Sequence, residues 1–208
     1  MLLVVQNMQR RMDQAKMTTS FSEKVELSKE EVKLLKQKYA TPWSFIDWVI
    51  DDVLVPRGRG FFGIDVCASR ENAKAEEFID ERKNGLQMTW AAFNNGPAWC
   101  NPPFKDVMPW LHKARKEADD IGKMSCVLTH MDHSTEWFSE GMVMASECIL
   151  VNPRINFVQH PILIKWMKEN NIKPSGNDKQ NVLWVFDPAW LPSQPGEQAK
   201  ITYPKPWR

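Results

Sequence analysis

Two adjacent prolines constrain this chain more than any other feature. In Ala98-Trp99-Cys100-Asn101-Pro102-Pro103-Phe104 each proline fixes φ near about −65° and supplies no N–H, and the residue before a proline is pushed out of the α region. The segment therefore neither begins a helix nor continues inside a sheet. It is expected to end a strand and to hold the Asn101 side chain, the backbone carbonyls and the Phe104 ring in a fixed fan. Carbonyl oxygens placed that way accept N–H bonds from a planar ligand with an exocyclic amino group, and the ring stacks on its face. Taken alone, the tetrapeptide suits an ordinary proline-rich turn equally well, so its surroundings decide.

The surroundings are those of a globular protein. The chain has 208 residues, 43% of them hydrophobic, which is ample for a core. Four cysteines (Cys67, Cys100, Cys126, Cys148) lie tens of residues apart with no Cys-x-x-Cys pair. That spacing indicates neither a zinc ribbon nor a dense disulfide framework, and a reducing cytosol is the expected compartment. No apolar run reaches roughly eighteen residues, and Met1-Leu2-Leu3-Val4-Val5 lacks the flanks and length of a signal peptide. A soluble, intracellular protein with no membrane partner is expected. The net charge is +1, so any nucleic-acid binding must come from a local patch.

Along the chain, residues 1 to about 27 are polar without a clear period and are expected to form an arm. Ser28-Lys29-Glu30-Glu31 has the form of a capping box and predicts a short helix over 29–38. Thr41 as cap and Pro42 at the first helical position, followed by Ile46, Val49, Ile50 and Val53, predict an amphipathic helix over 43–53. The run from Phe61 to Ala68 reads as a buried strand interrupted by Asp65, a carboxylate at the strand end where ligands bind in open α/β sheets. A helical segment is expected from Ser69 and a short strand near Phe78-Ile79-Asp80, after which Asp80 and Glu81 read either as a solvated acidic loop or as the acids that hold a ribose. Residues 84–90 read as a turn and edge strand, and 96–100 as the strand that delivers Asn101. After it come a helix from Lys105 with Pro109 in its first turn, a strand at 125–129 and a Ser134-capped helix. Strands are then expected at 147–151, 155–158 and 181–186, with a helix from Ile162 to Lys168 and a surface tail over 187–208. Alternating strands and helices predict an α/β protein with a mostly parallel sheet flanked by helices.

Several of these pieces, in this order, resemble the phage-type, Dam-like DNA N6-adenine methyltransferases. They are Thr41-Pro42, Phe62-Gly63-Ile64-Asp65-Val66-Cys67-Ala68-Ser69, Glu71-Asn72-Ala73-Lys74, Asn84-Gly85-Leu86 with Trp90, and Trp99-Cys100-Asn101-Pro102-Pro103-Phe104. Trp137-Phe138, Arg154-Ile155-Asn156-Phe157 and Ser175-Gly176-Asn177 before the last strand agree. The resemblance covers roughly residues 39–187, and implies an arm over 1–38, a methyltransferase domain over 39–187 and a tail over 188–208. It further implies the class I S-adenosylmethionine-dependent fold with a seven-stranded sheet, and a protein of phage or prophage acting on DNA in the cytoplasm of a bacterial host. Asn101, Pro102, Pro103 and Phe104 match the family's catalytic tetrad. Thr41, Pro42 and Asp65 match cofactor-binding positions, and Cys67 and Ala68 stand where a glycine-rich cofactor loop is usual. Asp80 and Asn101 complete the cofactor set. Arg57, Arg59, Arg70, Lys105 and Arg154 are the candidates for phosphate contacts.

The chemistry that such a tetrad suits follows from the amine. An aromatic exocyclic amine is a poor nucleophile because its lone pair is delocalised into the ring. Hydrogen bonds from its N–H groups to the Asn101 amide oxygen and the Pro102 carbonyl favour a pyramidal nitrogen, so position and preorganised dipoles do the work rather than a strong base. Other amines with the same geometry are alternatives: cytosine N4, guanine N2 in RNA, or a protein glutamine. A catalytically idle nucleic-acid-binding relative is a different class. Cys100 precedes Asn101 and reads as a buried inert thiol, and His130, Asp132 and His133 read as cleft or surface residues rather than metal ligands.

Overall fold

The computed structural model describes residues 25–35, 39–92, 95–173 and 178–207. Most of the expected arm (residues 1–24), positions 36–38 of the expected first helix and the Ser175-Gly176-Asn177 segment lie outside them. The chain forms two compact units, Thr41–Phe157 with Asn177–Arg208, and Met1–Ala40 with Val158–Gly176.

Among the described residues the second of these units contains two helices, α1 (Lys29–Leu35) and, late in the chain, Pro161–Glu169. The capping box forms as expected: the Glu31 carboxylate accepts from the Ser28 N–H at 2.8 Å, and the Glu31 N–H donates to Ser28 Oγ at 3.2 Å. Those bonds hold the Glu31 carboxyl below its usual range. Leu163 and Met167, one helical turn apart, form the buried face of Pro161–Glu169. Residues 155–158 form no strand; Val158 makes an isolated antiparallel bridge with Ala40.

The larger unit is a seven-stranded sheet. Its strands are β1 (Ile64–Asp65), β2 (Glu77–Phe78), β3 (Ala98–Cys100), β4 (Ser125–His130), β5 (Glu147–Val151), β6 (Asn181–Phe186) and β7 (Lys200–Thr202), in the spatial order β2-β1-β3-β4-β6-β5-β7. β1 pairs in parallel with β2 and β3, β3 with β4, and β5 with β7, whereas β6 runs antiparallel between β4 and β5. The helices of this unit are α2 (Trp43–Trp48), which continues as a π-helical turn over Val49–Leu54 and a 3-10 turn over Val55–Arg57, α3 (Met108–Ile121) and α4 (Glu136–Met144). Pro161–Glu169 is α5.

The strand sequences explain the layering. β4 and β6 are buried along nearly their whole length, as central strands covered on both faces must be. Alternate residues then serve opposite faces. Val127, Val182, Trp184 and Phe186 join Trp110, Leu111, Ala114 and Ala118 of α3 in one apolar cluster. Trp99, Cys126, Leu128, Leu183 and Val185 join Phe45 and Ile46 of α2 and Val49 of the π-helical turn in the other.

The number of strands matches what the resemblance implied, but the set differs. Residues 84–90 are a turn, not an edge strand: the N–H of Gln87 bonds the carbonyl of Asn84, whose φ is 57°, and the Trp90 indole is fully buried. Residues 69–73 form turns rather than a helix: the N–H groups of Asn72 and Ala73 bond the Ser69 carbonyl, and the Asn72 side chain takes the Ser69 N–H at 2.7 Å, with no ladder continuing beyond them. β7 was hidden in the tail, where charged and exposed Lys200 and Ile201 give no buried-strand signal. The tail returns again at Trp207, whose indole donates to the Pro153 carbonyl at 2.7 Å. Helix α4 is capped one residue later than expected, at Thr135, while the Ser134 hydroxyl bonds Asp132 at 2.6 Å.

Candidate active site

Reading outward from β1, the chain goes to β2 on one side and later to β3 on the other, so the strand order reverses at the carboxyl ends of β1 and β3. Such a switch point is where open α/β sheets bind ligands. Asp65 ends β1, Cys100 ends β3 and His130 ends β4, all at this edge. The prolines act as the sequence predicts: Cys100 is the last strand residue and Asn101-Pro102-Pro103 leave the sheet without regular structure.

The Asn101 side chain is fixed by one bond, from its Nδ2 to the Thr41 hydroxyl at 3.2 Å. Its other end, Oδ1, is buried and has no hydrogen-bond partner among the described residues. Buried carbonyl oxygens are nearly always paired, and leaving one alone costs about 1–3 kcal/mol. Thr41 was expected to cap the following helix. Instead Pro42, with φ −66° and ψ 143°, occupies the cap position without a side-chain bond, and the buried Thr41 hydroxyl serves Asn101.

Phe104 is held on two sides. Its ring centroid lies 3.8 Å from that of His130 at an interplanar angle of 36°, and 6.0 Å from that of Phe157. Burial lowers the His130 pKa, and the Lys179 charge adds to the effect, so the ring stacked on Phe104 is held toward its neutral form. Sequence reading left His130 as a cleft or surface residue and did not place it on Phe104, because that contact joins the end of β4 to the segment after β3 with no shared pattern.

Asp65 is fully enclosed. Burial pushes its carboxyl up to about 6, against the N–H groups of Lys74 (2.9 Å) and Cys67 (3.2 Å), which favour the ionised form. The carboxylate thereby ties together the loop that follows β1. Burial pushes the Cys67 thiol up to about 12 and raises Cys100 well above the usual thiol range, so both are inert as nucleophiles. Ala68 anchors the same loop through its N–H to the Ile79 carbonyl at 3.2 Å. Asp80 follows β2 on a turn, where Arg82 (2.9 Å) is the main cause of its lowered pKa and the Lys83 N–H adds a bond at 3.2 Å.

The basic residues divide between two edges. Arg70 on the turn after β1, Lys105 beside Phe104 and Arg154 beyond β5 are exposed at the carboxyl edge, Arg154 donating to the Asp178 carbonyl at 2.9 Å. Arg57 is at the opposite edge: it pairs with Glu147 at the start of β5, lies 3.5 Å from Asp187 after β6, and donates to the Val53 carbonyl at 2.7 Å. Arg59 is exposed at the same amino edge, within electrostatic reach of Lys123 just before β4. A cleft of about 880 Å³ lined by Arg57, Glu147, Asp187 and Trp190 also opens there, and none of Thr41, Asp65 or Asn101 lines it. Arg57 is thus engaged by carboxylates at the amino edge, and Arg59 lies on that edge too, away from Thr41, Asp65 and Asn101. Arg57→Ala should destabilise the protein by about 3 kcal/mol, because the Glu147 carboxylate is left with only the Thr202 hydroxyl as partner. Its affinity for a short DNA duplex should be unchanged, which thermal melting and a fluorescence anisotropy titration check together.

Lys74 is a residue that sequence reading did not place in the site. It is 7% exposed, and its ammonium lies 4.6 Å from the centroid of the Trp43 ring.

These features define an α/β protein whose ligand edge carries a buried amide acceptor, an aromatic platform and an enclosed acid. Over residues 28–195 the sequence matches the family described as DNA N-6-adenine-methyltransferase (Dam), and the chain belongs to that family. It is 27% identical over 154 residues to the DNA N-6-adenine-methyltransferase of Haemophilus phage HP1 (strain HP1c1), a match that spans 74% of this chain and 80% of the phage protein. It is 30% identical over 134 residues to the DNA N-6-adenine-methyltransferase of Escherichia phage T1, spanning 61% of this chain and 55% of that protein. No solved structure matches. No helix among the described residues is long and apolar enough to cross a membrane.

Proposed function

We propose that this protein methylates the N6 amino group of adenine in DNA, with S-adenosylmethionine as donor and residues 39–187 as a class I methyltransferase domain. The observation that carries the reading is Asn101 Oδ1, buried without a hydrogen-bond partner among the described residues and three positions before Phe104. An N–H from an exocyclic amine satisfies it. Asn101 is the proposed acceptor, held in orientation by Thr41, with the Pro102 carbonyl as the second acceptor and Pro103 fixing the turn. Phe104 is the stacking platform. The sheet order β2-β1-β3-β4-β6-β5, with its switch at β1 and β3, supports a donor site formed by Pro42, Asp65, Cys67, Ala68 and Asp80. The donor supplies a methyl group on a sulfonium, already electrophilic, so the chain has only to orient and partly desolvate the amine.

An adenine inside a duplex does not reach this edge, so the base is extruded. Unstacking costs a few kcal/mol, and stacking on an aromatic ring returns about 1–3 kcal/mol per base. Arg70, Lys105 and Arg154, on the same edge as Asn101, are the proposed phosphate contacts.

The test is incubation with unmethylated DNA and methyl-labelled donor, followed by hydrolysis to nucleosides. Label in N6-methyladenine is the expected result. Label in N4-methylcytosine, or only in RNA or protein, assigns the tetrad to another amine, and retained DNA binding without transfer makes the chain an idle relative.

A further inference from the structure

The loop after β1 spends the amides nearest the strand end within the protein. The N–H groups of Cys67 and Lys74 bond the Asp65 carboxylate, that of Ala68 bonds the Ile79 carbonyl, and that of Ser69 bonds the Asn72 side chain. A glycine-rich loop would present such groups to an anionic ligand, and this one turns them inward.

Lys74 offers the missing positive charge. Its side chain is buried, and among the described residues no carboxylate lies within 4.0 Å of its ammonium and no acceptor bonds it. Burial lowers its pKa to about 8, with the Asp65 charge working against the shift, so it remains mostly charged at neutral pH. The Trp43 ring beneath it compensates part of the desolvation. An ammonium with so little access to water gains from a further anion beside it. Trp43 begins α2 directly after Thr41-Pro42, and the Lys74 backbone is bonded to Asp65, so the charge belongs to the same edge as Asn101.

We infer that Lys74 binds the α-carboxylate of the donor's amino-acid portion, with Trp43 as the wall of that subsite. The inference rests on the donor reading above. Calorimetric titration of the full chain with S-adenosylhomocysteine and with 5′-methylthioadenosine, which lacks the carboxylate, tests it without turnover. Lys74→Met should weaken S-adenosylhomocysteine by about tenfold to a hundredfold, the scale of one charged hydrogen bond, and leave 5′-methylthioadenosine unchanged. Lys74→Arg should restore most of the loss, and Lys74→Gln serves in place of Lys74→Met if that variant does not fold by circular dichroism. Equal losses for both ligands, or none for either, would overturn the role of Lys74 alone. Failure of the unmodified protein to bind S-adenosylhomocysteine would overturn the donor reading with it.

Discussion

Asn101→Ala is expected to cut methyl transfer by about 10²–10³-fold, the range seen when one preorganised hydrogen-bonding group is removed from a reacting centre. The fold should hardly notice. The substitution removes an Oδ1 that is buried without a partner, which relieves a cost, and a single bond from Nδ2 to Thr41, which loses a gain of similar size. The two terms oppose each other, so the melting temperature should stay within about 4 °C, the shift that 1 kcal/mol produces in a chain of this length. Asp65 and Lys74 are untouched, and binding of S-adenosylhomocysteine should remain. Asn101→Asp separates acceptor chemistry from shape. Its carboxylate accepts both from the amine and from the Thr41 hydroxyl, so it should recover much of the lost rate. Full activity in Asn101→Ala, measured as initial rates on one DNA substrate, would remove the amide oxygen from the reaction.

The ease of reading Asn101 in the sequence has a physical origin. Prolines act on their own backbone and on the preceding residue, so the exit from β3 needed no tertiary information. β4 and β6 were equally plain, because strands buried on both faces must be apolar throughout. What depended on distant partners was not legible. Arg57 looks like a surface arginine until β5 delivers Glu147, ninety positions later in the chain, to its guanidinium. Thr41 reads as a helix cap until Asn101 claims its hydroxyl. β7 has no apolar alternation and exists because the edge of β5 is there to pair with. Lys74 sits in a polar stretch whose burial follows from Trp43, thirty-one positions earlier, packing beside it. The features that form the tetrad are local, and those that hold and charge its surroundings are not.

Gly85→Ala should be strongly destabilising. A Cβ at Gly85 would stand 2.2 Å from the Val66 carbonyl oxygen and 3.0 Å from the Trp110 ring, a backbone clash that no rotamer change relieves. The turn has no slack to yield. Asn84 is already in the left-handed region at φ 57°, its Oδ1 accepts from the Leu86 N–H, and the Gly85 carbonyl accepts from the Trp90 indole at 2.8 Å. Moving Gly85 away from Val66 therefore strains that indole bond and loosens Trp90, which is fully buried in the cluster against α3. Overpacking of this kind costs about 3 kcal/mol, or roughly 6–12 °C in melting temperature for a chain of this size. Gly58→Ala provides the contrast. At φ 71° with no atom within 4 Å of a new Cβ, it should cost only the backbone term of about 1–2 kcal/mol. The damage at Gly85 should also reach the ligand edge, because Val66 lies between Asp65 and Cys67 and bonds the Trp99 carbonyl at 2.9 Å. Gly85→Ala should thus weaken S-adenosylhomocysteine as well as stability, whereas Gly58→Ala, in the turn that follows Arg57, should leave binding intact. Equal melting losses for the two variants, or undiminished ligand affinity in Gly85→Ala, would mean that the turn at 84–90 does not brace the loop after β1.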